Sequence, residues 1–108
     1  MTVETNDQEK CELALKGLYF VDDPEIGLNV VDLGLIYQIE FIEEEEKTVY
    51  TIMTLTSQFC PMGDSIVSNV TESIQSAFTD WKIKVELTFE PAWDSSKISP
   101  EGQEFLGY

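Results

Sequence analysis

The sequence predicts a compact α+β domain in the order helix, hairpin, helix, strand, with a three-stranded sheet covered by helices on one face. Three observations lead there. Two stretches repeat apolar residues at helical spacing; two alternating stretches flank a charged turn; a third alternating stretch follows the second helix. Elements with one apolar face each bury it by stacking in two layers.

Asn6 followed by Glu9 makes a capping signal, and Cys11, Ala14, Leu15 and Leu18 then recur on one face. A first helix over residues 6–19 follows, with Cys11 as a small buried hydrophobe. Residues 20–34 mix turn formers with Ile26, Leu28, Val30, Val31 and Leu33. That apolar content predicts an ordered loop packed on the core, holding its acids in place. Asp23 precedes Pro24, which disfavours helix at Asp23.

Leu35, Tyr37, Ile39 and Phe41 alternate with Ile36, Gln38 and Glu40, and Val49 to Thr56 alternate again. With the solvated turn Glu43–Lys47 between them, they form an antiparallel hairpin. Ile66, Val67, Val70, Ile74, Ala77 and Phe78 share one helical face, which ends at Thr79–Asp80. Ile83, Val85, Leu87 and Phe89 then alternate with Lys82, Lys84, Glu86, Thr88 and Glu90, the cleanest strand of the chain. Trp93 suits a packing anchor, and Ser99-Pro100-Glu101 starts a short helix over 99–106. Residues 1–108 read as one domain with its core over about 6–93.

Composition excludes several function classes. Twenty-one acids against six bases give a net charge of −15. Such a surface repels phosphate backbones and anionic lipids, so neither nucleic acid nor a membrane is expected as partner. No apolar run approaches a membrane span, and the first ten residues lack the pattern of a secretory signal. A cytoplasmic protein with reduced thiols is the expectation. Histidine is absent, which removes Ser-His-Asp and Cys-His catalysis and histidine metal sites. Any metal must be held by thiolate and carboxylate, from this chain alone or with ligands from another, and two separated cysteines close no four-thiolate site within one chain. No glycine-rich phosphate loop is present.

The residues that carry chemistry centre on Cys60. It stands where the second hairpin strand gives way to the second helix, with Pro61 suited to the first helical position. Helix starts favour anions, so a thiol there loses its proton more readily than a free cysteine. A buried structural cysteine at a strand–helix corner is the competing reading. Asp23, Glu25, Asp32 and Asp64 lie in neighbouring loops. Each is either a turn or first-turn acid, or faces Cys60 to share a metal or manage its proton. Close carboxylates raise a thiol pKa, opposing the helix terminus. Thr56 is placed to donate a hydrogen bond to the same pocket.

Five motifs in order carry a resemblance: Asp-Pro-Glu-Ile-Gly at 23–27, Val-Asp-Leu-Gly-Leu-Ile-Tyr at 31–37, Met-Thr-Leu-Thr at 53–56, Cys-Pro-Met-Gly-Asp at 60–64 and Phe-Glu-Pro-Ala-Trp at 89–93. The chain resembles the metal–sulphur cluster biosynthetic family, the SufT- and PaaD-like group related to the eukaryotic cytosolic iron–sulphur targeting component. The likeness covers about residues 8–107. It implies an iron–sulphur assembly domain of the NifU type and a role in maturing or delivering clusters to recipient proteins.

By the same resemblance, the family's reactive cysteine falls on Cys60, its acidic motif on Asp23 with Glu25 beside it, and the aspartate before Leu-Gly on Asp32. An iron or iron–sulphur cluster would be held only transiently by Cys60, with a second ligand from a homodimer mate or a recipient. Partners would be the assembly machinery and apo recipient proteins. Many relatives have proline and a small residue before the cysteine, where this chain has Gln58 and Phe59. A bulky Phe59 narrows access to Cys60 or packs beneath it. With no histidine base and no Cys-x-x-Cys pair, thiol catalysis is not expected and the chain reads as an assembly factor, not an enzyme. The alternative is an acidic adaptor that docks partners while Cys60 is structural.

Overall fold

A computed structural model describes residues 3–57 and 63–107. Strand β1 spans Glu4–Thr5 and helix α1 Gln8–Leu18. The cap of α1 is Asp7 rather than Asn6: its carboxylate accepts the Lys10 N–H at 3.1 Å. Asn6 instead donates through Nδ2 to the Phe41 carbonyl and accepts the Phe41 N–H at Oδ1, both at 2.9 Å. The chemistry explains the exchange of roles. A carboxylate only accepts, which suits a cap, whereas an amide both donates and accepts and so pairs with a strand residue. The helix therefore starts later than the expected residue 6. Cys11, Ala14 and Leu18 face the core as the spacing requires.

Short strands β2 (Asp22–Asp23) and β3 (Leu28–Asn29) pair with each other inside the following loop. Val21, Leu28, Val30, Val31 and Leu33 are buried, so this loop packs on the core as its composition predicted. Strands β4 (Ile36–Ile42) and β5 (Thr48–Met53) form the antiparallel hairpin. The register slips between Ile36 and Gln38. This bulge turns Ile36 into the core and leaves Tyr37 half-exposed, reversing the alternation expected there.

Helix α2 (Gly63–Ala77) buries Ile66, Val70 and Ile74, then leads to β6 (Lys82–Leu87). Strand β6 runs parallel to β5, so α2 is the crossover that a parallel neighbour requires. The described sheet has four strands in the order β1-β4-β5-β6, not the expected three. Two residues are too few for β1 to show a strand period in sequence. Both α1 and α2 cover the face carrying Ile39, Phe41, Val49 and Met53. At one end Phe41, Phe78 and Trp81 stack with centroids 5.3 to 6.1 Å apart, and the ammonium groups of Lys10 and Lys47 sit over the Trp81 ring. Aromatic pairs of this kind contribute about 0.5–1.5 kcal/mol each beyond the area they bury.

A 3-10 turn at Ser95–Lys97 precedes helix α3 (Pro100–Leu106), which Ser99 caps as its sequence indicated. The opposite end of the sheet, where β5 finishes, is built by a backbone relay. Thr54 N–H bonds to Leu35 O, Leu35 N–H to Val30 O, and Val30 N–H to Val21 O. The relay brings the loop of residues 21–34 to the end of β5.

Candidate functional site

Cys60, and Phe59 beside it, lie outside the described residues. What is described is the frame on either side of them. Thr54 and Leu55 are buried past the end of β5, Thr56 is half-buried, and Gly63 is buried at the start of α2. A Cβ at Gly63 would come within 2.8 Å of the Leu55 side chain, so glycine lets α2 begin hard against the end of β5. Asp64 is an exposed acid in the first turn of α2, where the macrodipole favours it.

Beside Thr56 opens a cleft of about 410 Å³ lined by Leu55, Thr56, Ser57, Phe89, Ala92 and Trp93 among others. Two motifs far apart in sequence thus share one concave surface. Trp93 is anchored by its indole N–H, which donates to Leu33 O at 2.6 Å. The packing role expected of Trp93 is therefore present, but the wall that Phe89 to Trp93 supplies was not foreseen. Its available signal was the Phe-Glu-Pro-Ala-Trp motif, whose distance from Thr56 in sequence hid the contact.

Asp23 is fully buried on β2. Its Oδ1 accepts the Glu25 N–H at 2.9 Å, while its carbonyl accepts from Ile26 and Gly27. Asp23 therefore caps its own turn, one of the two readings open to it. The other carboxylate oxygen, Oδ2, is buried with no hydrogen-bond partner, as is the hydroxyl of Thr54. A buried acceptor left unmatched costs about 1–3 kcal/mol, so such an atom is unusual where it serves the fold alone. Glu25 is exposed.

Asp32 is used differently. Its Oδ1 accepts the Ser99 hydroxyl at 2.8 Å, its Oδ2 accepts from Asn29 Nδ2 at 2.7 Å, and its carbonyl accepts the Ser99 N–H at 2.7 Å. The Ser99 hydroxyl passes the chain on by accepting the Gly102 N–H. Asp32 thus fastens the start of α3 to the loop. Gly34 completes this latch at φ +77°, where any Cβ would collide with the Lys97 carbonyl. The backbone relay from Thr54 to Val21 brings the loop that carries Asp23 to the end of β5, whereas the carboxylate of Asp32 is engaged with the C-terminal segment.

Cys11 is the free thiol among the described residues. It is buried, and burial pushes its thiol pKa up despite a hydrogen bond from Thr5 that lowers it. Among the described residues no group of three acids or cysteines is arranged to hold a metal ion.

Residues 13–91 match the profile of a family described as iron–sulfur cluster assembly protein. The chain belongs to that family. A Porphyromonas gingivalis relative named Fe-S protein maturation auxiliary factor is 41% identical over 88 residues, covering 82% of each chain. The Staphylococcus aureus Fe-S protein maturation auxiliary factor SufT is 34% identical, over 81% of this chain and 97% of that one. Among solved structures, a domain of unknown function from Bacillus anthracis superposes with a TM-score of 0.79 at 31% identity, covering 91% of both chains. A Mycobacterium tuberculosis protein described as associated with Fe-S complex assembly and repair gives 0.53 at 31% identity, over 94% of this chain and 90% of that one. The expected family and the assembly-domain fold are thereby established, with the fourth strand as the amendment.

Proposed function

We propose that this chain is a cytoplasmic accessory factor that helps deliver iron–sulphur clusters to recipient proteins through Cys60. The observation that carries this reading is the family match over residues 13–91, which spans Asp23, Glu25, Asp32, Thr56, Cys60 and Asp64. In this role Cys60, as thiolate, takes one coordination position on an iron of the cargo. A recipient's cysteine thiolate displaces it, so ligands are exchanged and no electron moves. No enzymatic turnover is involved.

Thr56 lines an open cleft and Asp23 keeps a buried oxygen without a donor, which suits a site whose hydrogen bonding is completed only when cargo or partner arrives. Asp64, Glu25 and the helix start of α2 tune the charge around the thiol. The cleft walled by Phe89 and Trp93 gives a recipient segment an apolar surface to rest on. Thiol chemistry of this kind needs a reducing compartment, which the cytoplasm supplies. No described helix is long and apolar enough to cross a membrane.

The test is a strain whose only copy carries Cys60→Ser. Cluster-dependent enzymes should lose activity there while the variant protein unfolds at the wild-type temperature, and Cys11→Ser should leave maturation intact. Normal maturation with Cys60→Ser would remove the thiol from the mechanism. The excess of acids favours a second reading, an adaptor that docks basic partners while Cys60 is structural. Undiminished maturation by Cys60→Ser, together with partner binding that weakens as salt rises, would select it.

A further inference from the structure

Strand β6 ends the sheet, and its outer edge has no backbone partner among the described residues. The Lys82 N–H donates to Lys47 O at 2.8 Å and the Thr88 N–H to Met53 O at 2.9 Å, both on the inner side. Backbone direction alternates along a strand, so Ile83, Val85 and Leu87 turn their N–H and C=O groups outward. A row of open donors and acceptors on a six-residue strand is a template for another strand.

The side chains say which strand fits. Ile83, Val85 and Leu87 point toward the helix layer, yet Leu87 remains 38% exposed at the edge. Lys82, Lys84 and Glu86 lie on the open face, in register with Thr48, Tyr50 and Ile52. Lys82 reaches Glu46 at 3.6 Å. Lys84 has no ion pair among the described residues, in a chain with 21 acids. Glu86 accepts the Tyr50 hydroxyl through one oxygen.

We propose that β6 pairs antiparallel with β6 of a second copy, Val85 opposite the partner's Val85, joining the two sheets into one. Charge selects that register. Centring the pair on Lys84 sets two ammonium groups face to face on the two-fold, which offsets part of the attraction between Lys82 and the partner's Glu86 that this register also brings, and centring it on Glu86 sets two carboxylates face to face. Centring it on Ile83 puts Lys82 against Lys84. Only the Val85-centred register places Lys84 opposite the partner's Glu86, twice by symmetry, as an isologous two-fold contact demands.

Backbone geometry agrees. With Val85 at the centre, the outward residues oppose one another, so every outward N–H and C=O from Ile83 to Leu87 finds a partner. Lys84 and Glu86 then fall at the non-hydrogen-bonded positions, where opposite side chains approach most closely. Ile83 meets the partner's Leu87, covering its exposed surface. Because β5 is parallel to β6, the two Thr56 clefts lie at opposite ends of the joined sheet. Each copy keeps its own site, and the second ligand for cargo held by Cys60 comes from a recipient rather than from the dimer mate.

Sedimentation velocity over a wide concentration range tests the pairing, on wild-type protein, Lys84→Glu, Glu86→Lys and an equimolar mixture of the two variants. The wild type should dimerise. Each variant alone faces like charges at both positions and should weaken dimerisation on the order of tenfold or more. The mixture should recover it, because Lys84→Glu facing Glu86→Lys restores both opposite-charge pairs. A wild type that stays monomeric overturns the proposal, as do single variants that dimerise as tightly as wild type. A mixture of folded variants, checked by circular dichroism, that remains monomeric overturns the register.

Discussion

Asp23 and Asp32 belong to one loop, yet their oxygens are occupied in opposite ways. Asp32 is matched on both carboxylate oxygens and holds α3 through Ser99, whereas Asp23 keeps one buried oxygen without a donor. The two residues should therefore separate under mutation. Asp32→Ala removes two charged hydrogen bonds and should cost about 2 kcal/mol in urea unfolding, with residues 94–107 becoming the first site of proteolysis. Asp23→Asn keeps the acceptor for the Glu25 N–H, so unfolding should stay close to wild type while maturation activity falls. Wild-type maturation by Asp23→Asn would make Asp23 a turn cap and nothing more. The sequence made both acids visible as candidates but could not divide their roles. Ser99 is 67 residues from Asp32, and no local period connects them. The wall of the cleft was obscure for the same reason, since Phe89 and Thr56 meet only after β5 and β6 have paired.

Elements were legible where a period persists and obscure where a single residue's hydrogen bonding decides. The stripes of α1 and α2 and the alternation of β5 and β6 are long enough to reveal themselves. The start of α1 was misplaced because Asn and Asp are both good caps, and only Phe41, far along the chain, assigns Asn6 elsewhere. The bulge in β4 escaped because one extra residue breaks a period of two without altering composition. The cap itself has a pH signature. Hydrogen bonds from Lys10, and its charge, hold the Asp7 carboxyl below its ordinary 3.8. A carboxyl depressed by folding contributes its full stabilisation above the unfolded value and loses it as pH falls through the folded one. The difference in Tm between wild type and Asp7→Ala should thus stay constant from neutral pH down to about pH 4 and close below it. A difference that persists unchanged well below that range would mean the carboxylate contributes nothing as an ion.

At the scale of the whole molecule, the layer order followed from the pattern of elements, but the parallel pairing of β5 with β6 did not, because alternation carries no direction. Net charge was legible outright, and it acts on three equilibria with different signs. Within one copy, 21 acids against six bases repel one another, so salt should raise Tm between low and physiological ionic strength. The Debye length shortens over that range from about 30 Å at 0.01 M to about 8 Å at 0.15 M, which screens charges across a domain of this size. Between two copies, each at −15, the same screening lowers the long-range repulsion while the Lys84–Glu86 pairs act at contact, so dimerisation should first strengthen with salt. Docking of a basic partner on the acidic surface should weaken over the same interval. A titration of sodium chloride read by Tm, by sedimentation and by partner binding would therefore move the first two up and the third down. A Tm that falls with added salt would mean that specific ion pairs, rather than the excess of acids, dominate the electrostatics of the fold.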